Sequence, residues 1–127
     1  MQVLRGSATI LVVDDEPMIR SMVCGLLEDA GYDVTEAESG DAADALMRDG
    51  EQFDLLLTDI RMPGLLDGVE LIRRTLARYP GMKTIAMSGF AGMEYASIKV
   101  ADLFLSKPFT PSRLEREVAT LLRAAAH

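Results

Sequence analysis

Short apolar runs alternate with helix-like stretches along most of the chain. The first run, Thr9 to Val13, is continuously apolar after its threonine and rich in β-branched residues, which is typical of a strand buried on both faces. A helix is predicted to begin at Pro17 and to continue, with apolar residues at helical spacing, until Gly31. The polar and apolar alternation of Asp33 to Ala37 predicts a half-exposed edge strand, and Ser39 to Gly50 predicts an alanine-rich helix.

The second half of the chain repeats this alternation. Its predicted elements are a strand at Phe53 to Thr58, a helix with Val69, Ile72 and Leu76 on its apolar side, strands at Thr84 to Met87 and at Leu103 to Leu105, and a last helix capped by Thr110 with Pro111 at its first position. Between the last two strands, Ala91 to Ala101 predicts a short helix. Strand-helix units in series require right-handed crossovers and a parallel sheet covered on both faces. The predicted fold is therefore α/β, a flavodoxin-like doubly wound sheet of about five parallel strands in the order 2-1-3-4-5.

Length and charge narrow the range of functions. A chain of 127 residues suits one domain, so we expect a single domain over residues 1–127, with a core at about 8–122 and ragged ends. The formal net charge of -7 disfavours nucleic acid as a direct partner. No run approaches the roughly 20 apolar residues of a membrane span, so no membrane partner is expected. The single Cys24 excludes a disulfide framework and fits a cytoplasmic protein, with the thiol filling the core.

The informative polar residues all lie where a predicted strand ends. Asp14 and Asp15 follow the first strand, Asp59 the third, Ser88 the fourth and Lys107 the fifth. In an open parallel sheet ligands bind at this edge, and in the order 2-1-3-4-5 the first and third strands are neighbours. The three carboxylates are therefore expected to converge.

Carboxylates that share a small pocket repel one another, so a proton or a cation must reside among them. Mg²⁺ is the natural occupant, because it prefers oxygen ligands and commonly combines a few carboxylates with water and a substrate phosphate. One carboxylate could also attack a phosphoryl donor, and the Lys107 ammonium and the Ser88 hydroxyl could stabilise the charge that builds on the phosphoryl oxygens. Each residue alone could instead be a cap, a turn residue or a solvated charge, but all five together are hard to explain in that way.

At these residues the sequence resembles the receiver domain of bacterial two-component response regulators. The likeness covers about Ala8 to Leu122, nearly the whole chain. It is carried by Leu11-Val12-Val13-Asp14-Asp15-Glu16, Leu57-Thr58-Asp59-Ile60-Arg61-Met62-Pro63, Asp67-Gly68, Ser88-Gly89 and Ser106-Lys107-Pro108-Phe109. Together these motifs are highly specific.

The resemblance implies a function and a division of roles. Asp59 would take a phosphoryl group from a phosphohistidine on a sensor histidine kinase or a histidine phosphotransfer protein, and the chain would not be an enzyme beyond this acceptance and a slow self-dephosphorylation. The resemblance also implies Mg²⁺ held by Asp15, Asp59 and the backbone carbonyl of Arg61, with Asp14 acting through a coordinated water. The acceptor would then switch a surface that binds a downstream protein.

Further roles are implied at the fourth and fifth strands. Ser88 would bond a phosphoryl oxygen, Lys107 would pair with the phosphate, and Phe104 would be the aromatic switch residue. The Lys107-Pro108 peptide bond would be cis, which is an option that X-Pro bonds allow.

Two stretches depart from the commonest form of the family. The segment from Met62 to Gly68 is one residue longer, which resembles receivers attached to hybrid histidine kinases. The stretch between Ser88 and Lys107 is a few residues short, so a normal fourth helix is not assured there. The sequence shows no second domain after Leu122, and we expect either a stand-alone receiver or a receiver module from a hybrid kinase or a longer regulator.

Three other functions fit the sequence less well. A haloacid-dehalogenase-like phosphohydrolase also uses a nucleophilic aspartate, Mg²⁺ and a lysine, but it needs a second aspartate where this chain has Arg61. A flavin-binding protein of the same fold would need a phosphate loop after the first strand, where Asp14 and Asp15 would repel a phosphate. A protein-interaction module with an inactive site is disfavoured by the complete set of five polar residues.

Overall fold

In this computed structural model the described residues are 8–62, 64, 66–89 and 100–125. The elements are, in chain order, β1 (Thr9–Val13), α1 (Pro17–Asp29), β2 (Asp33–Ala37), α2 (Gly40–Arg48), β3 (Leu55–Asp59), α3 (Gly68–Arg78), β4 (Lys83–Ser88), β5 (Leu103–Ser106) and α4 (Pro111–Ala125). The strands are parallel and lie in the order β2-β1-β3-β4-β5. The predicted α/β fold and strand order are therefore confirmed.

The side chains of the central strands alternate between two apolar layers. In β1, Leu11 and Val13 belong to the layer that α2 and α3 cover. Ile10 and Val12 belong to the opposite layer, which α1 and α4 cover. Because β1 and β3 have apolar side chains on both faces, they are continuously buried, whereas β2 lies at the sheet edge and is partly exposed. The sheet lies between these two layers.

Most predicted boundaries agree with the structure within two residues, and the differences occur at element ends. The strand predicted from Phe53 begins at Leu55, although Phe53 still packs against the core. The helix predicted from Ser39 to Gly50 is shorter by one residue at its start and two at its end, because Ser39 is the cap that accepts the Ala42 N–H. The short helix predicted at Ala91 to Ala101 falls on residues of which 91–99 lie outside the described part of the chain.

Two aspartates clamp neighbouring strands together at the amino edge of the sheet. Asp54, directly before β3, accepts the backbone N–H of Thr9 at 2.8 Å and its hydroxyl at 3.2 Å. Asp102, directly before β5, accepts the N–H of Thr84 at 2.9 Å and its hydroxyl at 3.2 Å. Each threonine hydroxyl also accepts the backbone N–H of its aspartate, at 3.2 Å for Asp54 and 3.0 Å for Asp102. The same set of hydrogen bonds between an aspartate and a threonine therefore joins β1 to β3 and β4 to β5.

A buried carboxylate, that of Asp44, joins two helices. Asp44 on α2 is 4% exposed, and its oxygens lie 3.4 to 3.6 Å from guanidinium nitrogens of Arg48, Arg74 and Arg78. A carboxylate buried to this extent needs positive partners, and three are present. Within the described residues, no helix combines the length and the apolar character that a membrane crossing requires.

Candidate functional site

The carboxyl edge of the sheet brings three predicted carboxylates together. Asp14 follows β1 directly and Asp59 ends β3, and these strands are neighbours with Val13 opposite Thr58. One carboxylate oxygen from each of Asp14, Asp15 and Asp59 lies within 4.8 Å of the other two. The short β1–α1 connection supplies two of these groups and the end of β3 supplies the third.

Lys107 links two of the carboxylates. Its Nζ lies 3.2 Å from Oδ2 of Asp14 and 3.2 Å from Oδ2 of Asp59. Its backbone N–H donates to the carbonyl of Ser88 at 2.8 Å, which ties the start of the β5–α4 loop to the end of β4. One ammonium, carried by the loop after β5, therefore bonds two acidic groups at the ends of β1 and β3.

The three aspartates differ in how firmly their side chains are held. Asp14 is fully buried, and while one of its oxygens meets Lys107 the other accepts the backbone N–H of Glu16 at 2.9 Å. Asp59 is 8% exposed and bonds both Lys107 and the backbone of Arg61. The carboxylate of Asp15 is the most accessible of the three. It has no hydrogen bond or ion pair to any residue that the structure describes.

Burial and neighbouring charge act in opposite directions on the ionisable groups. Burial raises the pKa of Asp59 above its usual value, Lys107 opposes this rise, and the nearby charge of Asp14 adds to it. For Lys107, burial alone would lower the pKa, but the charges of Asp59 and Asp14 outweigh burial and the pKa is raised. The lysine is therefore held in its charged form, and Asp59 is a carboxylate whose negative charge is not fully compensated.

A glycine allows the backbone after β3 to pack closely. A Cβ atom added at Gly68 would lie 2.1 Å from the carbonyl oxygen of Asp59 and 2.7 Å from the Cα of Ile60. The N–H of Gly68 donates to the carbonyl of Ile60 at 2.8 Å, and the preceding Asp67 caps α3 by accepting the N–H of Glu70. In the Asp67-Gly68 pair, Asp67 thus caps α3 and Gly68 lies in close contact with the backbone of Asp59.

The other predicted site residues occupy β4, β5 and the loop after β5. Ser88 is 1% exposed and ends β4, one residue beyond the β4 partner of Asp59, and its hydroxyl donates to the carbonyl of Gly89 at 3.2 Å. Phe104 is half-buried on β5 and packs against the core layer of α2 and α3. The Lys107-Pro108 peptide bond is cis.

Sequence reasoning missed one residue beside the cluster, Arg20 on α1. Its Nη1 donates to the backbone carbonyl of Asp14 at 2.7 Å, and its Nε donates to Oε1 of Glu36 on β2 at 2.8 Å. The side chain of Arg20 is only 15% exposed. The sequence offered one sign of this role, a charged residue in an otherwise apolar helix. On most helices such a residue is simply exposed to solvent.

A match to known proteins decides the family. The family model described as "Response regulator receiver domain" matches residues 10–119. This chain belongs to the response regulator receiver domain family. It is thus a receiver domain of two-component signalling, as the sequence motifs predicted.

Relatives of this receiver domain occur both alone and within longer proteins. The chain is 38% identical over 119 residues to the response regulator receiver protein CpdR of Brucella abortus, covering 91% of this chain and 98% of CpdR. It is 37% identical over 123 residues to the sensor kinase CckA of the same organism, covering 94% of this chain but only 13% of CckA. A crystal structure of a receiver protein from Sinorhizobium medicae has a TM-score of 0.87 and 37% identity, with 94% of this chain and 97% of that one covered.

Proposed function

We propose that this receiver domain accepts a phosphoryl group on Asp59 in a Mg²⁺-dependent reaction. The donor is a phosphohistidine on a sensor histidine kinase or a histidine phosphotransfer protein. The observation that carries the proposal is the position of Lys107, whose ammonium lies 3.2 Å from both Asp59 and Asp14 beside the accessible Asp15. A nucleophile, an electrostatic partner and a set of cation ligands thus share one edge of the sheet.

The transfer exchanges one bond to phosphorus for another. A carboxylate oxygen of Asp59 attacks the phosphorus, a P–O bond forms, and the P–N bond to the donor imidazole breaks. The electron pair of that bond returns to the imidazole nitrogen, which then takes a proton from solvent. Lys107 stabilises the negative charge on the transferred group because its ammonium already lies beside the oxygens of Asp59. The chain thus acts as an acceptor of the group and has no separate substrate to turn over.

The oxygen atoms at this edge fit Mg²⁺. Three carboxylates bring three negative charges and Lys107 brings one positive charge, so 3 − 1 leaves two negative charges for a divalent cation to balance. Asp15, Asp59 and the backbone carbonyl of Arg61 would hold the ion directly, and it would neutralise charge on the incoming phosphoryl group. Asp14 would act through a bound water, since both of its oxygens are already hydrogen-bonded to Glu16 and Lys107.

Phosphorylation would then change the surface beyond β4. Ser88 would turn its hydroxyl from the carbonyl of Gly89 toward a phosphoryl oxygen, and Phe104 would rotate into the space that this movement opens. The moving surface lies between the two strand ends that Ser88 and Lys107 occupy, and a downstream protein would recognise it. We further propose one domain over residues 1–127 in the cytoplasm, as a stand-alone receiver or as part of a hybrid kinase.

The test is incubation with Mg²⁺ and acetyl phosphate, followed by intact-mass measurement. The unchanged protein should gain one phosphate that is stable in acid and labile in base, and Asp59→Asn should gain none. Asp54→Asn is the matched control, because it alters an aspartate directly before β3 at the opposite edge of the sheet, and it should still be phosphorylated. An equal gain of phosphate in the Asp59→Asn protein would show that another residue is the acceptor.

A further inference from the structure

Among the described residues, the accessible Asp15 has no side-chain partner that could fix its direction. Among the residues that the structure describes, neither a hydrogen bond nor an ion pair holds its carboxylate. Mg²⁺ demands nearly ideal octahedral geometry, so a ligand that samples many directions binds it less well. The position of the Asp15 carboxylate must therefore depend on how its backbone is held.

The peptide between Asp14 and Asp15 is held from one side by Arg20. Nη1 of Arg20 donates to the carbonyl oxygen of Asp14 at 2.7 Å, the shorter of its two hydrogen bonds. Because a peptide group is planar, fixing this carbonyl also fixes the N–H and the Cα of Asp15. The N–H of Asp14 donates to the carbonyl of Ala37 at 3.3 Å, so the start of the loop is anchored to β2 as well.

The guanidinium is itself held in place by Glu36. Nε of Arg20 donates to Oε1 of Glu36 at 2.8 Å, while the Arg20 side chain is 15% exposed. The fixed fork of a guanidinium allows one side chain to bond a carbonyl and a carboxylate at the same time. Glu36 also balances the positive charge, which would otherwise repel a cation bound at the neighbouring carboxylates.

We propose that Arg20, held by Glu36, is a positioning residue for the cation site and fixes the peptide that carries Asp15. This inference rests on the proposed function, because it concerns the Mg²⁺ that Asp15 would bind. Arg20 contacts neither the ion nor the phosphoryl group. Its contribution is to place one ligand, in the way that residues behind metal ligands commonly orient them.

The test is a titration of Mg²⁺ and, separately, of Ca²⁺, followed by backbone amide chemical shifts. Arg20→Met should bind Mg²⁺ about tenfold more weakly than the unchanged protein, the lower end of the losses seen when groups that orient metal ligands are removed. Binding of Ca²⁺ should weaken by a smaller factor, because Ca²⁺ tolerates irregular ligand geometry. Arg20→Lys should recover only part of the loss, since a single ammonium lacks the guanidinium fork.

Two controls separate positioning from folding and from charge. Arg113→Met removes an exposed arginine that pairs with Glu117 on α4 at 3.4 Å, and its Mg²⁺ affinity should equal that of the unchanged protein. If Arg20→Met does not fold, Glu36→Leu keeps the arginine but removes its support, and it should lower Mg²⁺ affinity in the same direction.

The failures of the two proposals are distinguishable. Mg²⁺ affinity within twofold of the unchanged protein in both Arg20→Met and Glu36→Leu would overturn the role of Arg20 alone. Tighter binding of both cations by Arg20→Met would also overturn it, because charge rather than position would then dominate. Failure of the unchanged protein to bind Mg²⁺ at all would overturn the proposed function and this inference with it.

Discussion

Aspartates lie at both edges of the same sheet, and their surroundings differ in burial and in their partners. At the amino edge, Asp54 and Asp102 each accept the N–H and the hydroxyl of one threonine, so neutral donors satisfy each carboxylate separately. At the carboxyl edge, carboxylate oxygens of Asp14, Asp15 and Asp59 lie within 4.8 Å of one another, and the Lys107 ammonium bonds Asp14 and Asp59 but not Asp15. The residue type is the same, but at the carboxyl edge the carboxylates lie close together, and Asp15 has no donor among the residues that the structure describes.

The comparison explains why only one edge is suited to chemistry. Each carboxylate of the amino edge has its own local partner and needs no further ligand, so the clamps hold strands together. At the carboxyl edge, burial, with a smaller contribution from the nearby charge of Asp14, raises the pKa of Asp59, and a bound cation would offset the negative charge there. We therefore expect stability and the proposed function to be separated along the strand direction.

The largest expected loss of stability follows from removing the carboxylate of Asp102, which bonds Thr84. Asp102→Ala should lower the free energy of unfolding by about 2 kcal/mol, because the buried Thr84 would lose the acceptor for its N–H and its hydroxyl. Equilibrium unfolding in urea measures this, and phosphorylation by acetyl phosphate should be unaffected. Asp54→Ala should cost about 1 kcal/mol, because the hydrogen bonds of Asp54 with Thr9 are exposed. Loss of phosphorylation in a folded Asp102→Ala protein would contradict the separation of the two edges.

At the carboxyl edge we expect a smaller change in the free energy of unfolding, and it should have the opposite sign. Without divalent cations, Asp59→Asn should raise the free energy of unfolding at neutral pH by about 1 kcal/mol, because it removes a buried charge while Asp14 remains as a partner of Lys107. Since the folded protein holds the Asp59 proton more tightly than the unfolded chain, the stability from this group is present at low pH and declines as the pH rises through its raised pKa.

The pH dependence of the stability difference between the two proteins tests whether Asp59→Asn is stabilising. Urea unfolding of both proteins near the ordinary pKa of an aspartate and again at neutral pH should show a difference that grows with pH. An Asp59→Asn protein that is less stable than the unchanged protein at neutral pH would mean that pairing with Lys107 outweighs the cost of burial.

Much of this architecture could be predicted from the sequence because it depends on local patterns. Continuous apolar runs mark β1 and β3, and Pro17 and Thr110 mark helix starts. The polar residues at strand ends could be assigned to one edge because all strands of a parallel sheet end on the same side. Convergence of the carboxylates followed from the predicted order of the strands.

The remaining features depend on contacts between distant residues. Arg20 looks like an ordinary charged position on a helix until the fold brings it against Asp14 and Glu36. The clamps at Asp54 and Asp102 require the register of neighbouring strands, since each aspartate lies opposite its threonine across the ladder. Patterns along the chain specify which face a residue occupies, but they do not specify its partner.

The most direct test of the difference between the two edges is the change in amide chemical shifts when Mg²⁺ and beryllofluoride, a phosphate mimic, are added. If Asp59 is the acceptor, as we propose, the mimic should attach there, and we expect large shifts at Asp15, Asp59 and Lys107 and negligible shifts at Thr9 and Thr84. Asp59→Asn should abolish the shifts caused by beryllofluoride. Shifts of equal size at both edges, or unmoved amides at Asp59 and Lys107, would contradict the account.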